Sequence, residues 1–407
     1  MPVSVPTGLS PLDSILPDEP LLMMGAGPVP IPHRVAQANS IVINHLGDTM
    51  SQVIEQVKSM SRYVFQTESS RIMGVAGPGS AAMEMAVINL VCPGMKVLAI
   101  CNGFFSDRLA EMAERVDAEV VCLKVPDGVT ADPDEVREAI AKHRPAVVTL
   151  VQGETSNTVL NRHLPEICRL AREHDCLVIV DAVCTLSTMP FEMDHWGVDA
   201  VITGGQKGLA SIPGVSLVAF SERAWDHIRA REDRLRHWCL DAKLAHRFWN
   251  EKAYHYTAPV SGVLALHEAL RLICRETLEV RFERHLRCST ALQSGIESMG
   301  LSLYTKPRDR LNSVVGINVP EGVESRRLLT HMSGVHRVEI SGSFGLDIVR
   351  IGQMGEQSRS HHIFRTLHAL GASLYALGVP VDIPAGVAAL ESTLDAYIVS
   401  GGKLIEF

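Results

Sequence analysis

Short apolar runs alternate with stretches of helical periodicity along most of the chain. Residues 71–76 lead into a helical pattern near Gly79, and 97–100 into one near Gly103. The run 147–151 precedes a helix over 164–173, and 215–220 precedes one over 222–231. Two further runs, 177–180 and 200–203, stop at Asp181 and Gly204. Runs of this length bounded by turn residues predict strands, and their alternation with helices predicts βα units around a mostly parallel sheet. A helix is also predicted over 50–64.

The pattern changes twice. Residues 1–30 are rich in Pro and Gly and read as an arm ending at Gly25-Ala-Gly-Pro28. From 260 to 296 the periodicity is helical throughout, predicting one long helix able to bridge two domains. Beyond Gly300 short runs (314–319, 348–351) mix with helices (325–331, 361–377), as in a smaller α+β unit. The expected organisation is an arm (1–30), a large domain (31–280) and a small C-terminal domain (281–407). A chain of 407 residues exceeds what one core usually serves.

Composition narrows the function classes. With 21% charged and 46% hydrophobic residues the chain is an ordinary globular one. The net charge of -8, with no basic block, disfavours nucleic acid as a partner. Nine cysteines form no CxxC pair, and the histidines are scattered, so no metal site is expected. An odd cysteine count without a framework fits a reducing compartment. No apolar run is long enough to span a bilayer, and the N-terminus lacks a secretory pattern. The expectation is a cytoplasmic protein with no membrane partner.

The candidate chemistry sits at the predicted strand ends. Asp181 closes a strand, where open α/β sheets bind ligands; the plain alternative is a turn or cap residue. Lys207 follows Thr203-Gly-Gly-Gln and precedes Gly208, an unusual setting for a solvated lysine. An amine held away from water has a lowered pKa and acts as a nucleophile. Between two such strand ends an aldehyde cofactor could join Lys207 as a Schiff base and set its ring nitrogen on Asp181, whose charge would keep that ring protonated. Gly74-Val-Ala-Gly-Pro-Gly-Ser80 supplies a glycine turn before a helix, a phosphate cradle or a simple N-cap. It matches neither the Walker nor the dinucleotide pattern. Phe104 and Phe105 follow Asn102-Gly103; Phe104 is the expected ring-stacking residue, with at least one of the two filling the core.

Taken together, these stretches resemble the class V aminotransferases of the pyridoxal-phosphate fold type I superfamily. The resemblance runs from Gly25-Ala-Gly-Pro-Val29 to Val349-Arg350-Ile-Gly-Gln-Met-Gly355 and is densest at Val180-Asp-Ala-Val183, Gly205-Gln-Lys-Gly-Leu-Ala-Ser-Ile-Pro-Gly214 and Tyr254-His-Tyr-Thr257-Ala-Pro259. It implies an α/β fold with a mostly parallel seven-stranded sheet and a smaller α+β C-terminal domain. It implies pyridoxal 5'-phosphate on Lys207, its ring over Val183 and its phosphate near Gly79, Ser80 and Gln206. Ser156 is implied near the ring oxygen, and Tyr254 and Thr257 as residues that cross to the phosphate of a partner subunit in a homodimer. Arg350 is implied as the clamp on the substrate carboxylate. Read from the residues alone, a guanidinium in the apolar run 348–351 fits a carboxylate or a structural ion pair.

Departures from the family pattern fall at Gly208 and Ile212, after the lysine, and at His45, near the expected substrate. The implied reaction moves an amino group from a small amino acid, alanine- or serine-like, to a 2-oxo acid such as glyoxylate or pyruvate. Aminoethylphosphonate–pyruvate and pyridoxamine–pyruvate transamination stand as alternatives, as does a non-enzymatic metabolite-binding module. Cysteine desulfuration is disfavoured, because Ser341-Gly-Ser-Phe-Gly345 carries no cysteine.

Overall fold

The computed structural model describes residues 7–399. Residues 1–6 of the expected arm and 400–407 of the expected C-terminal domain lie outside the described residues.

Seven strands form the central sheet: β1 (Ile72–Ala76), β2 (Lys96–Cys101), β3 (Glu119–Lys124), β4 (Val147–Val151), β5 (Leu177–Asp181), β6 (Ala200–Gly204) and β7 (Val215–Phe220). Their spatial order is β1-β7-β6-β5-β4-β2-β3. Only β7 runs antiparallel to its neighbours; the other pairings are parallel. Strands β4 to β7 are buried along their whole length, which is why they read as continuous apolar runs rather than alternating ones. Strand β3 was not evident in the sequence. It lies at the sheet edge, with Glu119 and Lys124 exposed.

Two helices start where strands of this sheet end. Gly79–Leu90 (α1) starts after β1, and Phe104–Glu114 (α2) starts after β2. The carboxyl ends of β1, β2, β4, β5 and β6 therefore open on one edge, where such sheets bind ligands.

The long helix expected over 260–296 is two helices. Val260–Glu276 (α3) and Leu278–Ser298 (α4) meet at Thr277, whose φ of 66° breaks the helical path. A β-branched residue seldom adopts that conformation. Hydrophobic periodicity passes through the break because both helices are amphipathic. Here the Leu278 amide donates to the Tyr63 hydroxyl at 2.8 Å instead of continuing α3.

A second core lies around α4 and a three-stranded antiparallel sheet whose centre is Ile348–Gly352, flanked by Val314–Asn318 and Ser341–Gly342. The arm is part of this core: Leu22–Met23 pairs with Val338–Glu339, and Met24 is fully buried there. Among the described residues no helix is long and apolar enough to cross a membrane.

Candidate active site

Asp181 ends β5 and is 6% exposed. Its Oδ1 accepts from the Val183 amide at 2.7 Å. Burial pushes its acid up to about 7; the Glu154 charge adds to this, while the Val183 amide, Lys207 and Arg108 oppose it.

Lys207 lies three residues beyond the end of β6. Its Nζ donates to the Ala26 carbonyl of the arm. A side chain at Gly27 would meet Nζ at 2.5 Å, and Gly27 has φ +101°, so only glycine lets the arm pass over the amine. Burial lowers the lysine pKa and nearby Arg350 acts the same way, against Cys184 and Asp181. A larger share of neutral amine results, which is what a nucleophile needs.

The turn between β1 and α1 brings Gly79 and Ser80 to the same edge. A Cβ on Gly79 would sit 2.9 Å from Val183 Cγ2, so the helix start packs directly on that side chain. The first amides of α1 lack intrahelical acceptors and face anions well. Gln206 Oε1 is buried and has no hydrogen-bond partner.

Six residues singled out from the sequence line one cavity of about 430 Å³: Gly79, Ser80, Asp181, Val183, Gln206 and Lys207. A lysine amine, a carboxylate and a helix start share this space. The amine suits an aldehyde, the helix-start amides a phosphate and the carboxylate a protonated ring nitrogen.

Two expectations shift by one residue. Phe104 does not line the cavity; it is 41% exposed and stacks on Phe344. Phe105 lines it instead. The two open α2 side by side, and sequence order alone does not say which one turns inward. Likewise Thr155 lines the cavity, whereas the Ser156 hydroxyl is turned to Glu154 Oε1 at 2.6 Å.

Three other candidates lie apart from the cavity. Tyr254 and Thr257 are exposed on the chain's surface. His45 stands edge-on to Tyr254 at 6.0 Å and accepts from the Ala258 amide at 3.3 Å. None of the three reaches the cavity of its own chain.

Arg350 is 5% exposed. Its Nε donates to the Gly342 carbonyl at 2.8 Å, and Nη1 to the Thr155 carbonyl at 2.6 Å. No carboxylate lies within ion-pair distance among the described residues, which removes the structural salt bridge as its explanation. Burial lowers its pKa to about 10, with the Glu154 charge resisting.

Sequence reasoning passed over three features. Arg108 lines the cavity and donates to the Ser80 hydroxyl at 2.8 Å, its guanidinium 4.9 Å from the Phe105 ring centre. Its spacing of three residues from Phe105 on one helix was the available signal. Glu154 is fully buried and accepts from the amides of Phe105 (3.1 Å), Ser106 (3.0 Å) and Ser156 (3.1 Å). Burial raises its pKa, and those hydrogen bonds counter the rise. It thereby ties the start of α2 to the segment carrying Thr155.

The third feature is a buried charge network on α3 and α4. Glu276 takes Arg281 Nη1 at 2.8 Å and Arg284 Nε at 2.5 Å. Arg281 also donates to the Gly208 carbonyl at 2.7 Å, and Arg284 to the Gly355 carbonyl at 2.9 Å. The Gly355 amide in turn donates to His285 Nε2 at 3.0 Å. The turn after Lys207 and the turn after Arg350 are thus held by neighbouring residues of one helix.

The site at this edge of the sheet joins a lysine amine, a buried aspartate and a helix start in one cavity, an arrangement that suits a transaminase. A model of the aminotransferase class-V family matches residues 32–347, and the chain belongs to that family: it is an enzyme, a pyridoxal-phosphate transaminase. The alanine–glyoxylate aminotransferase of Drosophila melanogaster is 33% identical over 372 residues, which is 89% of this chain and 94% of that one. The crystal structure of ureidoglycine–glyoxylate aminotransferase from Bacillus subtilis is similar with a TM-score of 0.90 and 29% identity, covering 93% of this chain and 99% of that one. That of pyridoxamine–pyruvate aminotransferase from Mesorhizobium loti gives 0.89 and 25%, covering 94% and 99%.

Proposed function

We propose that the chain is a cytoplasmic homodimer that holds pyridoxal 5'-phosphate as a Schiff base on Lys207 and moves the amino group of a small amino acid, alanine- or serine-like, to glyoxylate or pyruvate. The observation that carries this reading is the single cavity shared by Lys207, Asp181, Gln206 and the start of α1. The glyoxylate and pyruvate in the names of the relatives support the acceptor.

Bound there, the cofactor supplies an aldehyde for amines and a protonated ring that draws electrons from the substrate α-carbon. The Gly79 and Ser80 amides with the Gln206 side chain would hold the phosphate. Asp181 would keep the proton on the ring nitrogen, Val183 and Phe105 would wall the ring, and Thr155 would lie near the ring oxygen. Lys207 would be the base at the substrate α-carbon, its Nζ taking up and giving back that proton. Arg350 fixes the α-carboxylate so that this bond lies within reach of Nζ. Tyr254 and Thr257 complete the phosphate site of the partner subunit, and His45 approaches the partner's substrate from the same surface.

The test is direct. Purified enzyme with alanine and glyoxylate should yield pyruvate and glycine in equal amounts. Turnover of pyridoxamine with pyruvate in place of any amino acid would replace this reading with the pyridoxamine one; the Ser80–Arg108 pair lining the cavity beside the helix start supports a resident phosphorylated cofactor instead.

A further inference from the structure

Phe344 lies in the turn that follows the short strand Ser341–Gly342, beside Arg350. It is 52% exposed, so it contributes little to either core. Its ring stacks flat on Phe104, with centres 4.3 Å apart and planes 12° from parallel. The pair meets Phe105 edge-on, at 6.1 Å from Phe344 and 5.5 Å from Phe104. The Arg350 guanidinium carbon lies 5.5 Å from the Phe344 ring centre.

The turn is pinned in that position. The Ser343 hydroxyl donates to the Ser156 carbonyl, while Arg350 takes the carbonyls of Gly342 and Thr155. Nη2 of Arg350 is left without an acceptor among the described residues. Two half-exposed aromatic rings beside a buried cation with a spare donor are poorly explained by folding alone. They form an apolar wall next to a guanidinium with a donor to spare for a carboxylate.

We propose that Phe344, backed by Phe104, sets the size of the amino donor. This rests on Arg350 as the carboxylate clamp. A carboxylate on Arg350 brings its α-carbon substituents up to a ring 5.5 Å from the guanidinium carbon. A methyl or hydroxymethyl group fits beside such a ring, and a branched chain collides with it. The favoured donors are therefore small. Phe344 acts through contact with substrate, and Phe104 positions its ring.

Holoenzyme of the parent, Phe344→Ala, Phe344→Leu and Phe104→Ala should be assayed with alanine and leucine against glyoxylate. Pocket walls of this kind discriminate by roughly 10–100-fold. The leucine-to-alanine ratio of kcat/KM should rise by about that factor in Phe344→Ala, rise less in Phe104→Ala, and stay near the parent in Phe344→Leu. A loss of structure would lower both donors together and leave the ratio fixed. Calorimetric affinity for propanoate against isocaproate gives a second readout without turnover, with isocaproate gaining in Phe344→Ala. Unchanged ratios and affinities in active variants would overturn the wall alone. A parent enzyme that transfers no amino group from any donor would overturn the transaminase reading of Arg350, and the wall with it.

Discussion

Arg281 holds the carbonyl of Gly208 at 2.7 Å, one residue beyond Lys207. Its neighbour on the same helix face, Arg284, holds Gly355, five residues beyond Arg350. Glu276 pairs with both. Burial pushes its carboxyl up, but the Arg284 hydrogen bond and the charges of Arg281 and Arg284 outweigh it and hold the pKa at about 2. A carboxylate held below its usual value adds stability above about pH 4.5, which is lost as pH falls toward about 2.

Replacing Glu276 by Gln removes the carboxylate that pairs with both Arg281 and Arg284. Breaking such a pair costs about 3–5 kcal/mol. Urea unfolding should register that loss near neutral pH, and the gap between variant and parent should narrow toward about pH 2 as the parent's Glu276 protonates. An equal gap at every pH would mean that the carboxylate's charge plays no part.

Arg350→Gln should lower kcat/KM for both amino acid and 2-oxo acid by roughly a hundredfold, because an unclamped carboxylate lets the α-carbon drift by about 1 Å. Cofactor absorbance should be unaltered. A defect confined to one of the two substrates in steady-state kinetics would show that the clamp serves only one half-reaction.

Asp181 gives a pH signature in the cofactor-free protein. Its folded pKa of about 7 exceeds the ordinary 3.8, and burial is the main cause. The folded form then binds a proton that the unfolded form has released, so stability declines as pH climbs from about 4 to about 7. Asp181→Asn lacks this decline. Cofactor-free variant should be the more stable protein above about pH 7, by on the order of 4 kcal/mol, and equal to the parent near pH 4. With cofactor added the order should reverse in affinity, since amide cannot retain the ring proton. Denaturation series at both pH values, with and without cofactor, check the two halves.

The strand ends were legible because burial on both faces leaves long apolar runs that must stop in a turn, and Asp181, Gly204 and the Gly-rich stretch before Ser80 mark those stops. Which of two adjacent residues points inward was not legible at Phe104 and Phe105, or at Thr155 and Ser156. There the outcome depends on how α2 is anchored, and its anchor is Glu154, fifty residues away in sequence. The bend at Thr277 was hidden for a similar reason: both helices keep their apolar faces, so the period continues across the break. The Glu276–Arg281–Arg284 network left no periodic trace at all, since its other partners, Gly208 and Gly355, come from distant turns.

The subunit arrangement has its own test. Tyr254 and Thr257 are exposed on the chain that carries them. In the proposed dimer each serves the other subunit's phosphate. Mixing Lys207→Ala with Tyr254→Ala/Thr257→Ala protein under exchange conditions should restore one intact site per mixed dimer. About a quarter of parental activity is expected from random pairing of equal amounts, set by one working site in half of the dimers. Activity no higher than the sum of the separate variants would place these residues in their own subunit's site or in none.

The central claim is that Lys207 carries the cofactor covalently. Borohydride reduction of the cofactor-loaded enzyme, followed by peptide mass analysis, measures it most directly. A single pyridoxyl adduct on the peptide containing Lys207, absent from Lys207→Ala, is the predicted result. An adduct on another lysine, or a protein that stays unmodified while turning over, would contradict it.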